Sequence, residues 1–300
     1  MNKIKRTTGE WIFTIFNYIF LSFLSLICLY PILYVLFASV SDPIGLQKQS
    51  GLLFAPIFPM TMGGYQLVMQ NPNVGTGYMN TLIYVIGGTT LNLAFTALGA
   101  YVLSRQQFLW RNVLMAILTF TMFFSGGMIP SFLLVRSLGI YNTRWAIILP
   151  GLVSTYNLII MRTAFSAVPE SLEESAKLDG AGHFRIFAQI MLPLTKATIA
   201  VLVLYYAVGH WNAWFNAAIY LEDQNKWPLQ LTLRQILLAN KMSDMTGDMT
   251  QTGGEADLVY AARELVQYCT IIVATVPILC VYPFIQKHFV KGVMIGSVKG

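Results

Sequence analysis

Long uncharged stretches alternate with small groups of charged residues along most of the chain. No Asp, Glu, Lys or Arg interrupts the intervals 11–41, 49–104, 112–135, 145–161, 197–221 and 265–286. A helix needs roughly 20 consecutive apolar residues to cross a bilayer. The pattern therefore predicts six membrane-spanning helices, at about 12–39, 79–104, 112–135, 145–165, 197–221 and 265–286.

The second interval is too long for one span, and its first part is rich in residues that favour turns. Pro56, Pro59 and Pro72 lie there among several glycines. Proline and glycine interrupt regular helices. We therefore expect residues 42–77 to form a long extracytoplasmic segment, with the second span beginning near Tyr78.

Composition places the chain in a membrane. Hydrophobic residues make up 56% of the 300 residues and charged residues only 11%, which leaves too little polar surface for a soluble globule. We therefore expect an all-α integral membrane protein. The three cysteines lie in apolar segments, at spacings that suit neither a metal site nor a disulfide framework.

The N-terminal residues predict the orientation. Lys3, Lys5 and Arg6 precede an uncharged run that is far longer than the core of a signal peptide, so we expect an uncleaved first span. With six spans, Lys and Arg concentrate on the side of the N-terminus, and this bias is typical of the cytoplasmic side. Both termini are therefore expected in the cytoplasm, with the protein in the cytoplasmic (inner) membrane.

A polar stretch between the fourth and fifth spans predicts two short helices. Pro169 suits a first helical turn, and three glutamates follow where the helix dipole favours negative charge. Gly180 suits the left-handed residue that ends a helix, and a second, apolar helix would follow over about 182–193. An alternative for the start, which can hold at the same time, is a capping box between Ser171 and Glu174.

This stretch resembles the cytoplasmic coupling motif of binding-protein-dependent ABC importer permeases. The matching runs are Glu174-Ser175-Ala176, Asp179-Gly180-Ala181 and Ile190-Met191-Leu192-Pro193, with Ser175 where the motif has alanine. The resemblance implies that 169–193 docks onto a cytoplasmic ATPase, with Gly180 setting a bend and Glu174 near a basic residue of that partner. The residues that it assigns to coupling are Glu173, Glu174, Ser175, Ala176, Asp179, Gly180, Ala181, Phe187, Ile190 and Pro193.

Other stretches extend the resemblance over nearly the whole chain. Residues 124–130, 211–215, 228–230 and 289–300 look like carbohydrate-uptake permeases of the maltose-type second subunit, and within that group like importers of oligosaccharides, including fragments of polysaccharides. The resemblance implies four partners: a second permease subunit, an ATPase dimer, an extracytoplasmic sugar-binding protein and membrane lipid. The tail 291–300 would reach the ATPase, or would be an ordinary basic inner tail. The chain has a formal net charge of +6 at pH 7. The excess of Lys and Arg on the cytoplasmic side accounts for this charge, and no nucleic-acid partner is expected.

The chain has no means of its own to use ATP. It has no Gly-x-x-x-x-Gly-Lys-Ser/Thr sequence to bind nucleotide phosphates, so ATP and Mg²⁺ are expected on the partner ATPase and no cofactor or metal on this chain. The centres of the spans carry no charged residue, which argues against an ion-coupled carrier.

The fifth span is the richest in aromatic and amide side chains. Candidates for a substrate path are Tyr206, His210, Trp211, Asn212, Trp214 and Asn216. Helical spacing predicts three neighbouring pairs: His210 with Trp214, Asn212 with Asn216, and Trp211 with Trp214. Aromatic faces next to amides suit sugars. The alternative is packing between helices together with an interfacial aromatic belt.

The outer segment 222–264 is polar and turn-rich. It holds Asp244, Gly247, Asp248, Gly253 and Gly254, as expected of a mobile loop that contacts a partner. By the resemblance, the loop enters the sugar-binding protein and helps to displace its ligand. The alternative is a loop with no such role.

Two other functions remain as alternatives. An importer permease for a peptide, amino acid or anion would carry the same coupling motif. A membrane-embedded enzyme is a second alternative, but the chain has no His-Glu-x-x-His or Gly-x-Ser-x-Gly sequence and its three histidines are scattered. We therefore expect a transport subunit with no catalytic residues.

Overall fold

All regular secondary structure in the computed structural model is helical within the residues that it describes. These are 7–49, 51–246 and 261–280, with side chains described for all of them except 240–246. The α-helices are α1 (Thr8–Val40), α2 (Pro43–Lys48), α3 (Gly63–Gln70), α4 (Pro72–Ile83), α5 (Thr89–Ser104), α6 (Arg111–Phe123), α7 (Met128–Ser137), α8 (Trp145–Ile148), α9 (Thr155–Ser166), α10 (Glu170–Leu178), α11 (His183–Ile186), α12 (Leu192–Leu194), α13 (Lys196–Trp211), α14 (Phe215–Tyr220), α15 (Leu229–Thr246) and α16 (Ala261–Cys280). Tyr84–Gly88 and Phe187–Met191 are π-helical, and Leu149–Gly151 and Gln224–Lys226 are 3₁₀ turns.

Three long helices are apolar enough to cross a membrane: α1, the continuous helix Pro72–Ser104, and α16. Three bent pairs of helices raise the number to six if each pair is counted as one span. Residues 281–286 of the sixth predicted span lie outside the described residues.

The second span begins earlier than predicted. Its helix starts at Pro72 and not near Tyr78, because proline fits the first turn of a helix, where its missing N–H is not needed. Gly77 lies within this helix, where it packs closely against the backbone of Leu229 on α15. A Cβ at this position would lie 3.1 Å from the Leu229 Cα, so the absence of a side chain allows the two backbones to approach closely.

The third and fourth predicted spans, 112–135 and 145–165, are not continuous helices. Helices α6 and α7 meet at 118° across residues 124–127, where Gly127 has a left-handed φ of 85°. Trp145–Gly151 and α9 meet at 53°. An uncharged interval indicates a segment that suits apolar surroundings. It does not by itself require that the segment form one unbroken helix.

The fifth predicted span, 197–221, is interrupted as well. Helix α13 ends at Trp211, and α14 begins only at Phe215. Before it, His183–Leu194 meets α13 at 83°. The segment 222–264 also differs from the prediction, because it contains the helix α15 where a turn-rich loop was expected. Gly247, Asp248, Gly253 and Gly254 lie outside the described residues, and so does the Asp244 side chain.

The chain divides into two compact units. The first comprises Met1–Asn71 and Ile236–Thr275. In its described part, Ala38, Leu46 and Leu53 form a small core, and the Cys269 thiol donates a hydrogen bond to the Ser39 carbonyl at 3.3 Å.

The second unit comprises Pro72–Gln235 and Val276–Gly300. Its largest described core joins α5, α9, the segment 183–194 and α13. The fully buried residues at its centre include Ala100, Met161, Phe165, Ile186, Met191 and Leu202. The candidate site residues whose side chains are described belong to this unit.

Candidate functional site

Helix α10 begins one residue later than expected and without the predicted capping box. Pro169 is the N-cap, with extended backbone, and no side chain caps the helix. Ser171 already lies inside the helix, one residue past the first helical position, so its hydroxyl is not where an N-cap acceptor must be. The capping-box prediction for Ser171 and Glu174 is therefore wrong.

The end of α10 is as predicted. Gly180 has a left-handed φ of 79°. Its N–H donates to the Lys177 carbonyl at 3.0 Å, and the Ala181 N–H donates to the Ala176 carbonyl at 2.9 Å. This pair of hydrogen bonds is a Schellman motif, which satisfies the last helical carbonyls and turns the chain sharply. The direction of the segment that follows α10 therefore depends on Gly180.

One face of α10 is bound to the second span. The Glu173 carboxylate is buried and forms an ion pair with Arg105, the residue that follows α5, and with the Lys177 Nζ at 3.0 Å. The Arg105 guanidinium also lies over the Tyr101 ring, 4.8 Å from its centre. Burial lowers the pKa of Arg105, and nearby Tyr101 and Glu170 oppose this change. Arginine nevertheless remains charged, so the pair is ionic.

Phe187 adds an apolar attachment beside this ion pair. Its ring lies 5.3 Å from that of Tyr101 and 6.3 Å from that of Phe165. Glu173 and Phe187 were both predicted as residues for a partner. The structure places both inside the second unit, where they hold the segment after Pro169 against the helices.

The opposite side of this segment is exposed and partly apolar. Leu178 is 89% exposed and Phe184 is 76% exposed, and neither was singled out from the sequence. The predicted residues Glu174, Ser175, Asp179, Gly180 and Pro193 are exposed as well, whereas Ala176, Ala181 and Ile190 are half-buried. We call Leu178, Phe184, Glu174 and Gly180 the exposed face.

A cavity of about 780 Å³ lies beside α10. Charged side chains of both signs line it, among them Arg105, Arg111, Arg162 and Glu170. Within the described residues, no cluster of three or more His, Cys, Asp or Glu side chains is arranged to hold a metal ion.

On α13, Tyr206 contacts the break between Trp145–Gly151 and α9, and His210 is connected to this break through Asn92. The Tyr206 hydroxyl accepts the Ser154 N–H at 3.1 Å and shares a hydrogen bond of 2.7 Å with the Thr96 hydroxyl. The His210 Nε2 lies 2.7 Å from the Asn92 Oδ1. These contacts join α5, the start of α9 and α13 in one polar network.

Asn92 fixes the protonation of His210. Its Nδ2 donates to the carbonyls of Gly151 and Leu152, each at 2.8 Å, so its Oδ1 is the atom that faces the imidazole. An oxygen acceptor requires a donor, and His210 Nε2 therefore carries a proton. Gly88 makes room for the ring, because a Cβ there would lie 2.5 Å from Nε2.

The helical pairs predicted for the other fifth-span residues are wrong. Because α13 ends at Trp211 and α14 begins at Phe215, no helix contains both members of any predicted pair: His210 and Trp214, Asn212 and Asn216, or Trp211 and Trp214. Trp211 instead lies edge-on to Tyr78, with 6.3 Å between the ring centres. The six candidates thus fall into two groups. Tyr206, His210 and Trp211 are packed between helices, whereas Asn212 and Trp214 lie in the break and Asn216 lies in the first turn of α14.

At the break between α13 and α14, Arg234 of α15 packs against Trp214. The Arg234 guanidinium lies over the Trp214 ring, 3.5 Å from its centre. Trp214 packs at the edge of a core formed by residues that include Tyr84, Ile148 and Leu221. The sequence pattern gave no reason to connect Arg234 with Trp214, because 20 positions separate them.

Comparisons with known proteins point to one family. Residues 95–295 match the family described as "Binding-protein-dependent transport system inner membrane component". Protein LplC of Bacillus subtilis (strain 168) is 39% identical over 300 residues, which cover 100% of this chain and 99% of that protein. The polygalacturonan/rhamnogalacturonan transport system permease protein YtcP of the same organism is 40% identical over 289 residues, with 96% of this chain and 99% of that protein covered.

A solved structure agrees with these matches. It is the crystal structure of a bacterial ABC transporter involved in the import of the acidic polysaccharide alginate. One of its chains is 31% identical to this one, with a TM-score of 0.84, and the match covers 96% of this chain and 100% of that one.

Proposed function

This chain belongs to the family of binding-protein-dependent transport system inner membrane components, and we propose from this premise that it is a permease subunit through which an oligosaccharide enters the cell. It is a transport subunit and not an enzyme. The observation that carries the proposal is the segment 169–193, which is anchored to the helices on one side and presents exposed apolar residues on the other.

Six crossings follow if each bent pair counts as one span. The spans are then α1, Pro72–Ser104, α6 with α7, Trp145–Gly151 with α9, α13, and the helix that begins at Ala261. The third bent pair joins α13 to His183–Leu194, which we assign to the cytoplasmic segment, and α14 continues the fifth span after the break. Both termini lie in the cytoplasm in this arrangement, and so does 169–193. The concentration of Lys and Arg on that side supports it.

The exposed face docks onto a cytoplasmic ATPase. Leu178 and Phe184 supply apolar surface that a protein partner would cover, and Glu174 pairs with a basic residue of that partner. ATP and Mg²⁺ bind to the ATPase dimer and not to this chain.

Movement of the ATPase reaches the spans through the anchored side of the same segment. The ion pair between Glu173 and Arg105 connects α10 to the end of α5, and Phe187 connects the next helix to the same core. Two attachments of different chemistry allow α10 to transmit a displacement instead of detaching from the spans.

The other partners are a second permease subunit and an extracytoplasmic sugar-binding protein. The outer residues Asp244, Gly247, Asp248, Gly253 and Gly254 contact the binding protein in this proposal. Deleting 244–254 is expected to spare assembly of the complex while lowering sugar uptake. Full uptake after the deletion would refute the role of this segment.

The relatives favour a sugar over a peptide, amino acid or anion. YtcP is named for polygalacturonan and rhamnogalacturonan, and the structural neighbour is described as importing alginate. Both names denote polysaccharides, and both kinds of polymer contain acidic sugars. An oligosaccharide derived from a polysaccharide is therefore the substrate class that we propose.

Uptake into proteoliposomes tests the function. The complex of this chain with its neighbouring permease and ATPase would be reconstituted with ATP inside, and binding protein loaded with labelled oligosaccharides would be added outside. We expect ATP-dependent accumulation of one oligosaccharide class. Accumulation of a peptide or an anion, and of no sugar, would contradict the proposal.

A further inference from the structure

The pairing of Arg234 with Trp214 presents a cation at the break in the fifth span. The guanidinium lies 3.5 Å from the centre of the indole ring, and the ring packs against the core of the second unit. Stacking fixes the plane of a guanidinium and leaves the N–H groups at its edge able to bind other groups. The pair is therefore a positioned cation and not a freely rotating one.

The edge of this guanidinium remains available. Arg234 is exposed. Among the described residues, the ion pairs are formed by Arg105, Lys177 and Lys226, so Arg234 has no carboxylate partner there. A planar guanidinium matches a carboxylate with two parallel hydrogen bonds.

Two amides accompany the cation. Asn212 and Asn216 are both exposed, and each lies two positions from Trp214 in the chain. Two residues of chain span at most about 7 Å between Cα atoms, so the backbone of both residues lies close to that of Trp214. An amide offers a donor and an acceptor, which is what a sugar hydroxyl needs.

Backbone irregularity at this point suits a polar cavity. Residues 212–214 lie between α13 and α14, where helical hydrogen bonding is interrupted. Non-helical backbone within a membrane protein is tolerated where it is buried in protein or lines a water-filled cavity. The exposed Asn212 side chain, in this non-helical stretch, fits the second of these conditions.

We propose that Arg234, Trp214, Asn212 and Asn216 form a subsite for an acidic sugar, with the Arg234 guanidinium binding the carboxylate of a uronate unit and the amides binding its hydroxyls. The inference rests on the proposed function and narrows the substrate from oligosaccharides in general to those that carry uronates. Arg234 selects the charge, and Trp214 holds Arg234 in position.

The test compares uptake of an oligogalacturonate with uptake of its methyl ester, which lacks the negative charge. Complexes carrying the wild-type chain, Arg234→Gln, Arg234→Lys or Trp214→Leu would be reconstituted and supplied with the same loaded binding protein. The binding protein's own preference then cancels in the ratio of each variant to wild type. Arg136→Gln is the matched control, because Arg136 is also exposed but lies on α7.

We expect Arg234→Gln to lower uptake of the oligogalacturonate by about 10-fold to 100-fold, which corresponds to the loss of a hydrogen bond to a charged group. Uptake of the methyl ester should fall by less than about threefold. Arg234→Lys should restore part of the acid uptake, Trp214→Leu should resemble a weaker Arg234→Gln, and Arg136→Gln should match wild type. Copurification of the ATPase shows that each complex is assembled.

Equal losses for the acid and the ester, or none for either, would overturn the subsite while leaving the transport function intact. Wild-type uptake of neutral oligosaccharides alone would overturn the acidic class. No uptake of any oligosaccharide by the wild-type complex would overturn the proposed function and the subsite together.

Discussion

The segment 169–193 and the fifth span differ in how far nearby residues determine their structure. In the first, a proline, a run of glutamates and Gly180 set the start, charge and end of α10 within a dozen positions, and the helix lies close to where those signals place it. In the second, an uninterrupted apolar pattern conceals a break after Trp211. Residues at the two ends of a short helix can determine where it begins and ends. A break inside an apolar run depends instead on contacts with residues that are distant in the sequence.

The largest effect is expected from Gly180→Asp. A Cβ at a φ of 79° costs about 1–2 kcal/mol, and the carboxylate adds charge to the exposed face. We expect the ATPase to be lost from the purified complex, together with sugar uptake. No atom lies within 4 Å of the Cβ position, so this backbone strain alone should lower the unfolding temperature of the chain, by a few degrees.

Gly180→Asn is the matched control for this substitution. Asparagine is close to aspartate in size and tolerates the left-handed conformation better than most residues. It should therefore retain more ATPase than Gly180→Asp. Loss of the ATPase to the same degree in both would assign the defect to side-chain volume and not to charge.

The anchored side of the segment gives the next largest effect. Glu173→Ala leaves Arg105 without its carboxylate partner, which should cost roughly 3 kcal/mol of stability. We expect a lower unfolding temperature in detergent, and at a permissive temperature ATP hydrolysis that is poorly coupled to uptake. Glu174→Ala, on the exposed face, should leave the unfolding temperature unchanged and weaken only ATPase binding.

A reversed pair tests whether the Glu173 contact is electrostatic. Arg105→Glu combined with Glu173→Arg should recover part of the coupling that either single change removes. A double variant no better than the worse single variant would show that charge pairing with Arg105 is not what Glu173 contributes.

Asn92→Ala, in the second span, should have an intermediate effect, because Asn92 connects this span to the fourth and fifth. It removes the donor to the Gly151 and Leu152 carbonyls and the acceptor for His210, and leaving such groups unpaired costs about 1–3 kcal/mol. The unfolding temperature reports this loss. Thr90→Ala is the control, because the exposed Thr90 hydroxyl bonds only within its own helix. Equal stability of the two variants would contradict a structural role for the network.

Leu178→Ser should have the smallest effect on the chain itself. The side chain is 89% exposed, so its truncation removes no internal packing, and only ATPase binding should weaken. Leu138→Ser, at an exposed position after α7, should change neither property. Unaltered ATPase binding by Leu178→Ser would remove Leu178 from the docking surface.

The sequence predicted the membrane class and the end of α10 from nearby residues. It could not separate the two sides of α10, because Glu173 and Glu174 look alike in the sequence and only the position of Arg105 makes one of them buried. It also could not find Arg234, whose contact with Trp214 depends on how α15 returns to the break. Long-range contacts of this kind decide which residues of a motif are internal and which meet a partner.

ATP hydrolysis by the reconstituted complex tests the central claim most directly. The complex of this chain, its neighbouring permease and the ATPase would be mixed with binding protein, either empty or loaded with each member of a panel of oligosaccharides, peptides and anions. Stimulation by one class of oligosaccharide in the wild-type complex, and its loss in Gly180→Asp, is the predicted result. Stimulation only by a peptide or an anion, or full stimulation in Gly180→Asp, would contradict the account.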